Sequence, residues 1–136
     1  MENVPQICFS PIGQVQNAFD YPASGGDIKD HPSRLVLDPA YQEGLHGAAP
    51  GQVVLVLFHF HRVSGDHPLV QHPRGDPDRE ARGVFLLRSP HRPNPIGVTE
   101  VEITAVEGNV LTVIGLDAVN RTPILDLKVV RFSPDS

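Results

Sequence analysis

The chain has 136 residues, a formal net charge of −5 and a hydrophobic fraction of 40%, enough for one domain with a real core. The acidic balance argues against a protein that coats nucleic acid through bulk charge, and no apolar run is long enough to span a bilayer. Cys8 stands alone, so an internal disulfide is excluded and a small buried hydrophobe is its default role. Residues 1–5 carry neither a basic opening nor an apolar stretch, so a cytoplasmic protein is expected.

In chain order, residues 34–37 read as a short strand. Asp38 can cap a short helix over 39–46, with Pro39 at its first position and Gly44 or Gly47 to end it. Residues 53–61 form an apolar, β-rich run with the character of a buried strand, and 83–88 a second. Between them lies a long polar stretch, 64–82, punctuated by Gly65, Pro68, Pro73, Gly75 and Pro77; a loop of this length inside a compact domain is usually functional or mobile. Val101, Ile103 and Ala105 alternate with Glu100, Glu102 and Thr104, the period of a half-buried strand. Glu107-Gly108-Asn109 turns the chain into a strand at 110–116, so the two should pair as a hairpin. A last strand covers 124–132. Fourteen prolines discourage long helices. The expected class is all-β: a compact barrel or sandwich with one short helix and long connecting loops.

Charge is unevenly spread. Six of the nine arginines (Arg62, Arg74, Arg79, Arg82, Arg88 and Arg92) fall between positions 62 and 92, against four acids there. That allows a local cationic surface on an acidic protein, or a solvated loop of mixed charge. In Arg88-Ser89-Pro90-His91-Arg92-Pro93-Asn94-Pro95-Ile96-Gly97, three prolines fix φ and push their predecessors toward extended backbone. Such a loop loses little entropy on ordering, which is the preorganisation a ligand site needs. Arg88 and Arg92 offer permanently charged forks for a carboxylate or phosphate. A stiff connector between strands is the plainer reading of the same residues.

The segment 83–97 resembles the signature of the TrmO family, which runs roughly GVFATRS-x-x-RPNPIG. Downstream, residues 116–128 resemble a second signature, LD-x-x-DGTP-x-x-DIKPY, and Pro11-Ile12-Gly13, the stretch from Tyr41 to Leu45 and Phe58-His59-Phe60-His61 fit weaker patterns. The resemblance covers nearly the whole chain and implies a single β-barrel domain over 1–136. It also implies an S-adenosylmethionine-dependent methyltransferase that forms a homodimer and N6-methylates threonylcarbamoyl-adenosine beside the tRNA anticodon. By the same resemblance His61, Arg62, Arg88, Val98, Asp117, Ala118, Val119 and Asn120 would hold the cofactor. Arg74, Arg82, Arg92 and Tyr41 are assigned to the substrate. The absence of a G-x-G-x-x-G after a strand agrees with a cofactor site outside a Rossmann fold. A sulfonium methyl is already activated, so alignment is the protein's main task; the Asn94 amide oxygen is the candidate catalytic group, helping to localise the acceptor's lone pair.

Departures from the family pattern bear on the substrate. Asn120-Arg121 replaces Asp-Gly, and Arg lacks glycine's tolerance for positive φ unless the loop rearranges. Lys128-Val129-Val130-Arg131 stands where Lys-Pro-Tyr is usual, and the family's Pro-Arg-Gln segment is not recognisable around residues 21–27. The alternative function is therefore a protein that binds S-adenosylmethionine and methylates a small molecule, or acts as a sensor. His59 and His61, two apart on one strand, could ligate a metal, but no further ligand follows at suitable spacing, and no metal or membrane partner is expected. Asp126, within a regular strand, reads as structural.

Overall fold

The structure, a computed structural model, describes residues 4–22 and 27–132. Its strands are β1 Gly13–Gln16, β2 Ser33–Leu37, β3 Val53–His59, β4 Val70–Gln71, β5 Arg82–Gly83, β6 Ile96–Glu107, β7 Val110–Ile114 and β8 Pro123–Arg131. Six of them close into an antiparallel barrel, in the order β1-β2-β7-β6-β3-β8, and β4 and β5 form a separate two-stranded ribbon. Closure runs through β1, which pairs β2 along its length and β8 at Gly13↔Ile124 and Gln14↔Pro123. The strands meet tightly here: a Cβ on Gly13 would fall 2.7 Å from Leu37 Cα and closer still to the Val36 carbonyl oxygen. Only glycine fits such an approach.

The inward residues of the barrel form one apolar cluster, including Val15, Leu35, Val56, Phe58, Val101, Ile103, Leu111, Val113, Leu116 and Ile124. The β6–β7 hairpin forms as expected, with Glu107 opposite Val110 and Gly108 at φ 59° in the turn. A bulge interrupts the period-two reading between Ile103 and Ala105. The extra residue, Thr104, shifts the phase, so Val106, opposite Leu111, packs against the core where alternation had pointed Ala105 inward.

The helix is present but tighter than an α-helix, a 3₁₀ helix over Pro39–Leu45. Asp38 caps it, its Oδ1 accepting from Ala40 N at 2.9 Å, and Gly47 at φ 86° turns the chain away. None of its residues is buried, so nothing from tertiary packing favours extending it.

Several expectations are corrected. Residues 83–88 are not a strand: Gly83 ends β5 and Val84–Leu86 form a 3₁₀ turn, closed by Leu87 N donating to Val84 O at 3.1 Å. Strand β3 stops at His59: Phe60 N still donates to Pro95 O at 2.8 Å, but Pro95 has no N–H to return the bond, and Val63 N then turns back to Phe60 O at 3.2 Å. His59 and His61 therefore do not share a strand face. The polar stretch 64–82 is not structureless; it holds β4 and a 3₁₀ turn at Pro73–Gly75. Cys8 is exposed, not buried. Asp126, by contrast, does lie within a regular strand as expected: it sits in β8 with its carboxylate 3.3 Å from Lys128 Nζ, an exposed pair of small energetic value.

Candidate functional site

A cleft of about 510 Å³ opens at the end of the barrel where β3 ends and β6 and β8 begin. Phe58, Phe60, Ile96, Gly97 and Val98 give it apolar surface, Leu87, Arg88, Pro90 and Arg92 form one wall, and Asp117, Ala118, Val119 and Thr122 another. Pro22, Ile28, Lys29, His61, Arg62, Val63 and Thr99 complete the lining. The size is that of a small-molecule site.

The aromatic surface depends on one glycine. Phe58 and Phe60 meet edge to face, centroids 5.2 Å apart, and a Cβ on Gly97 would lie 2.7 Å from Phe60 Cζ and nearer still to the Phe58 ring. Gly97 thus lets both rings approach the β6 backbone more closely than any side chain there would allow.

The proline-rich wall is held from within. Arg92 Nη1 donates to Leu87 O at 3.0 Å and Ser89 O at 3.1 Å; His91 N donates to Ser89 Oγ at 3.1 Å. Gln71 Nε2 ties the loop to the neighbouring ribbon, donating to His91 O and Pro68 O, each at 2.7 Å. Arg92 lines the cleft, yet its guanidinium is engaged by loop carbonyls. Arg88 is exposed and is in no ion pair among the described residues. Arg62 lies over the Tyr21 ring at 4.7 Å, a cation–π contact that fixes its head near the cleft rim.

The opposite wall is a turn pinned to β1. Arg121 N donates to Val15 O and Asn120 N to Phe19 O, both at 2.7 Å. Arg121 adopts φ 72°. The loop has not rearranged to relieve the arginine; it keeps the conformation a glycine would take freely. Among the described residues cations outnumber carboxylates in the lining, with Lys29, Arg62, Arg88 and Arg92 against Asp117. His61 has its pKa lowered from the ordinary histidine value, first by burial and then by the charges of Arg62 and His59, against a backbone hydrogen bond at His59 that raises it. Its neutral form is thereby favoured.

Of the residues assigned from the sequence, the structure brings His61, Arg62, Arg88, Arg92, Val98, Asp117, Ala118 and Val119 into this one cleft. Asn120 stands behind the wall, its side chain bonded to Asn17 N and Asp20. Asn94 is exposed and absent from the lining; its backbone oxygen accepts from Ile96 N at 2.7 Å. Tyr41 lies on the 3₁₀ helix and Arg74 and Arg82 in the 64–83 lobe, all outside the lining. Sequence reasoning missed Lys29, Ile28, Phe58 and Phe60 as lining residues. The two phenylalanines were legible as strand residues beside His61, whereas no local pattern marks Lys29. Residues 23–26, within the region where a Pro-Arg-Gln segment was sought, lie outside the described residues. Among the described residues no group of three His, Cys, Asp or Glu side chains could hold a metal ion. None of their helices is long and apolar enough to cross a membrane.

Fold and site together define a closed antiparallel barrel with a cleft at one strand end and, among the described residues, no βαβ unit. The chain belongs to the TrmO family: residues 13–136 match the family model described as the tRNA-methyltransferase O N-terminal domain. An S-adenosyl-L-methionine-binding protein of Archaeoglobus fulgidus is 39% identical over 133 residues, covering 95% of this chain and 91% of that one. Human tRNA (adenine(37)-N6)-methyltransferase is 38% identical over 89 residues, 64% of this chain and 20% of the human protein. The crystal structure of TrmO from Pseudomonas aeruginosa matches with a TM-score of 0.66 at 29% identity, over 92% of this chain. The chain spans 56% of that solved chain.

Proposed function

We propose that this protein binds S-adenosylmethionine in the cleft and transfers its methyl group to the exocyclic nitrogen of threonylcarbamoyl-adenosine next to a tRNA anticodon. The observation that carries the reading is convergence: parts of the two signature segments, 83–97 and 116–128, distant in sequence, line the same cleft. The names of the Archaeoglobus relative, for the cofactor, and of the human relative, for the reaction, support it.

The residues fit such a cofactor. The aromatic and aliphatic surface of Phe58, Phe60, Ile96 and Val98 suits an adenine face, and Asp117 suits ribose hydroxyls or the adenine amine as hydrogen-bond acceptor. Arg88 and Lys29 are placed to take a carboxylate. When bound, S-adenosylmethionine supplies a methyl group activated by its sulfonium. A neutral His61 does not oppose that positive charge. Transfer of the methyl from sulfur to that carbamoylated nitrogen would release S-adenosylhomocysteine and require the nitrogen to give up its N–H proton, which His61, a weakened but unprotonated imidazole, can take up. This role falls to His61 in place of Asn94, whose exposed side chain lies off the cleft.

Arg74 and Arg82, on the adjacent lobe, extend the cationic surface outward for RNA phosphates. Leu69, Val70, Phe85 and Leu86 on the same lobe are exposed by 59, 62, 75 and 75%. This apolar patch supports a two-fold dimer, which sedimentation would test. Localisation is proposed to be cytoplasmic and the domain to be a single unit over 1–136. The second reading, cofactor binding with a small-molecule acceptor or a sensing role, draws support from the Archaeoglobus relative, matched almost end to end and named only for cofactor binding. Incubating the protein with methyl-labelled S-adenosylmethionine and tRNA from a strain lacking this gene tests the choice. Label in a single N6-methylated threonylcarbamoyl-adenosine nucleoside supports transfer. Cofactor binding with no label in tRNA would favour the second reading.

A further inference from the structure

The turn that forms one wall of the cleft is closed internally, Thr122 N and Oγ1 donating to Val119 O at 3.2 and 2.7 Å, and is pinned to β1 at Val15. Residues 17–22 add a further set of side-chain fastenings and lead on to the cleft rim. Asn17 Nδ2 donates to Ala118 O at 2.9 Å and to Ser33 Oγ at 3.1 Å, and Ser33 is 1% exposed. Asn120 Oδ1 accepts from Asn17 N at 3.1 Å, and Asn120 Nδ2 donates to Asp20 Oδ1 at 2.9 Å. Beyond Asp20, Tyr21 lies under Arg62 and Pro22 lines the cleft itself. One short strap therefore joins the 117–122 wall to the Arg62 side of the rim.

The chemistry at position 120 is specific to an amide. The side chain must accept at one end and donate at the other, which Asn does and a carboxylate does not. An aspartate there could still accept from Asn17 N. Toward Asp20 it would offer a second carboxylate oxygen at hydrogen-bond distance, without a proton between them.

We propose that Asp20 is a positioning residue for the ligand cleft, setting the 117–122 wall through its hydrogen bond from Asn120. Asp20 does not line the cleft, so its effect on a ligand passes through the turn that carries Asp117, Ala118 and Val119. Asn at 120, in place of the family's usual Asp, is then the partner that an aspartate at 20 requires. The proposal rests on the reading of the cleft as the S-adenosylmethionine site.

The test is a charge swap in the full chain, read by calorimetric titration with S-adenosylhomocysteine, the demethylated product, and by hydrogen exchange of the Arg121 and Thr122 amides. Asp20→Asn keeps an acceptor and should bind within about twofold of the parent. Asn120→Asp should weaken binding about tenfold, the scale of a lost charge-assisted hydrogen bond, and speed exchange of both amides. Combining the two restores a donor–acceptor pair in the reverse sense and should recover affinity and protection. A pure capping role toward Asn17 N predicts instead that Asn120→Asp is silent, because a carboxylate also accepts; that result, or a double variant no better than Asn120→Asp alone, overturns the proposal. If the parent binds no ligand in the cleft, the site reading fails, while the exchange pattern across the three variants still decides whether Asp20 sets the turn.

Discussion

Gly97→Ala probes the link between barrel packing and the cleft most sharply. The new Cβ would sit 2.7 Å from Phe60 Cζ and nearer to the Phe58 ring, whereas carbon atoms pack at about 3.5–4 Å. Roughly 1 Å of relief is therefore needed. The β6 backbone cannot readily supply it, because Gly97 is paired to Phe58 in the ladder and Val98 to Leu57 beside it. Phe58 is 2% exposed and surrounded by core, so it has little room to swing. Overpacking of this kind costs about 1–3 kcal/mol, equivalent to a fall in Tm of roughly 3–12 °C for a domain of this size. Phe60, half-buried at the cleft, is the freer ring; displaced upward, it would occupy ligand space. Differential scanning calorimetry with and without S-adenosylhomocysteine reads both effects. A variant that melts within about 1 °C of the parent and binds equally well would refute the packing argument.

Arg121→Gly should stabilise the protein by about 1 kcal/mol, because it relieves a left-handed arginine at φ 72° worth roughly 1–2 kcal/mol and loses part of that to glycine's unfolded-state entropy; an unchanged or lower midpoint in urea would contradict this. Arg88→Ala should weaken cofactor binding by about 1.5 kcal/mol, the lower end for a charged hydrogen bond at an exposed site, while Arg92→Ala should mainly lower thermal stability, since Arg92 braces Leu87 and Ser89; equal effects of both on affinity would show that the roles are not divided. His61 has a folded-state pKa depressed below its unfolded value by burial first and by Arg62 and His59 next. The folded state therefore holds fewer protons, and the stability due to His61 is present above the unfolded value of about 6.5 and is lost as pH falls through the folded value. If the cofactor binds in the cleft as proposed, protonation of His61 would add a cation to the lining that receives the sulfonium, so affinity for S-adenosylmethionine should fall as pH falls more steeply than affinity for S-adenosylhomocysteine, and His61→Gln should remove the difference. Parallel pH profiles in the parent would count against a His61 facing the sulfur.

Local sequence made some of this legible. The 3₁₀ helix carries its cap and its proline where they were expected, and the β6–β7 hairpin turns at Gly108. Both are fixed by neighbours in sequence, which is where propensity and capping act. The strand expected at 83–88 failed because an apolar run is equally compatible with a short turn when its side chains, such as Phe85 and Leu86, remain exposed. β1 escaped notice because Val15 is the only apolar residue in Gly13–Gln16, so its place is set by pairing with β2 and β8 rather than by periodicity.

The site divides in the same way. Arg88, Asp117 and their neighbours were found through motif resemblance, and the structure brings them to one cleft. Arg92 shows why such reading stops short: a motif arginine suited to an anion is engaged with the carbonyls of its own loop. The strap is least legible of all. Asn17 and Ala118 are separated by 101 positions and Asp20 and Asn120 by 100, so no window of sequence contains both partners. Asn120-Arg121, read as a departure that could disrupt the turn, instead keeps its left-handed form and gains a partner at Asp20.

A single titration tests the central claim. Backbone NMR spectra of the protein should show S-adenosylmethionine and S-adenosylhomocysteine shifting the amides of Val98, Ala118 and Val119 together, with one saturation curve, while the amides of the distant helix at Pro39–Leu45 stay in place. Saturable shifts confined to another face, or none at millimolar ligand, would contradict the account.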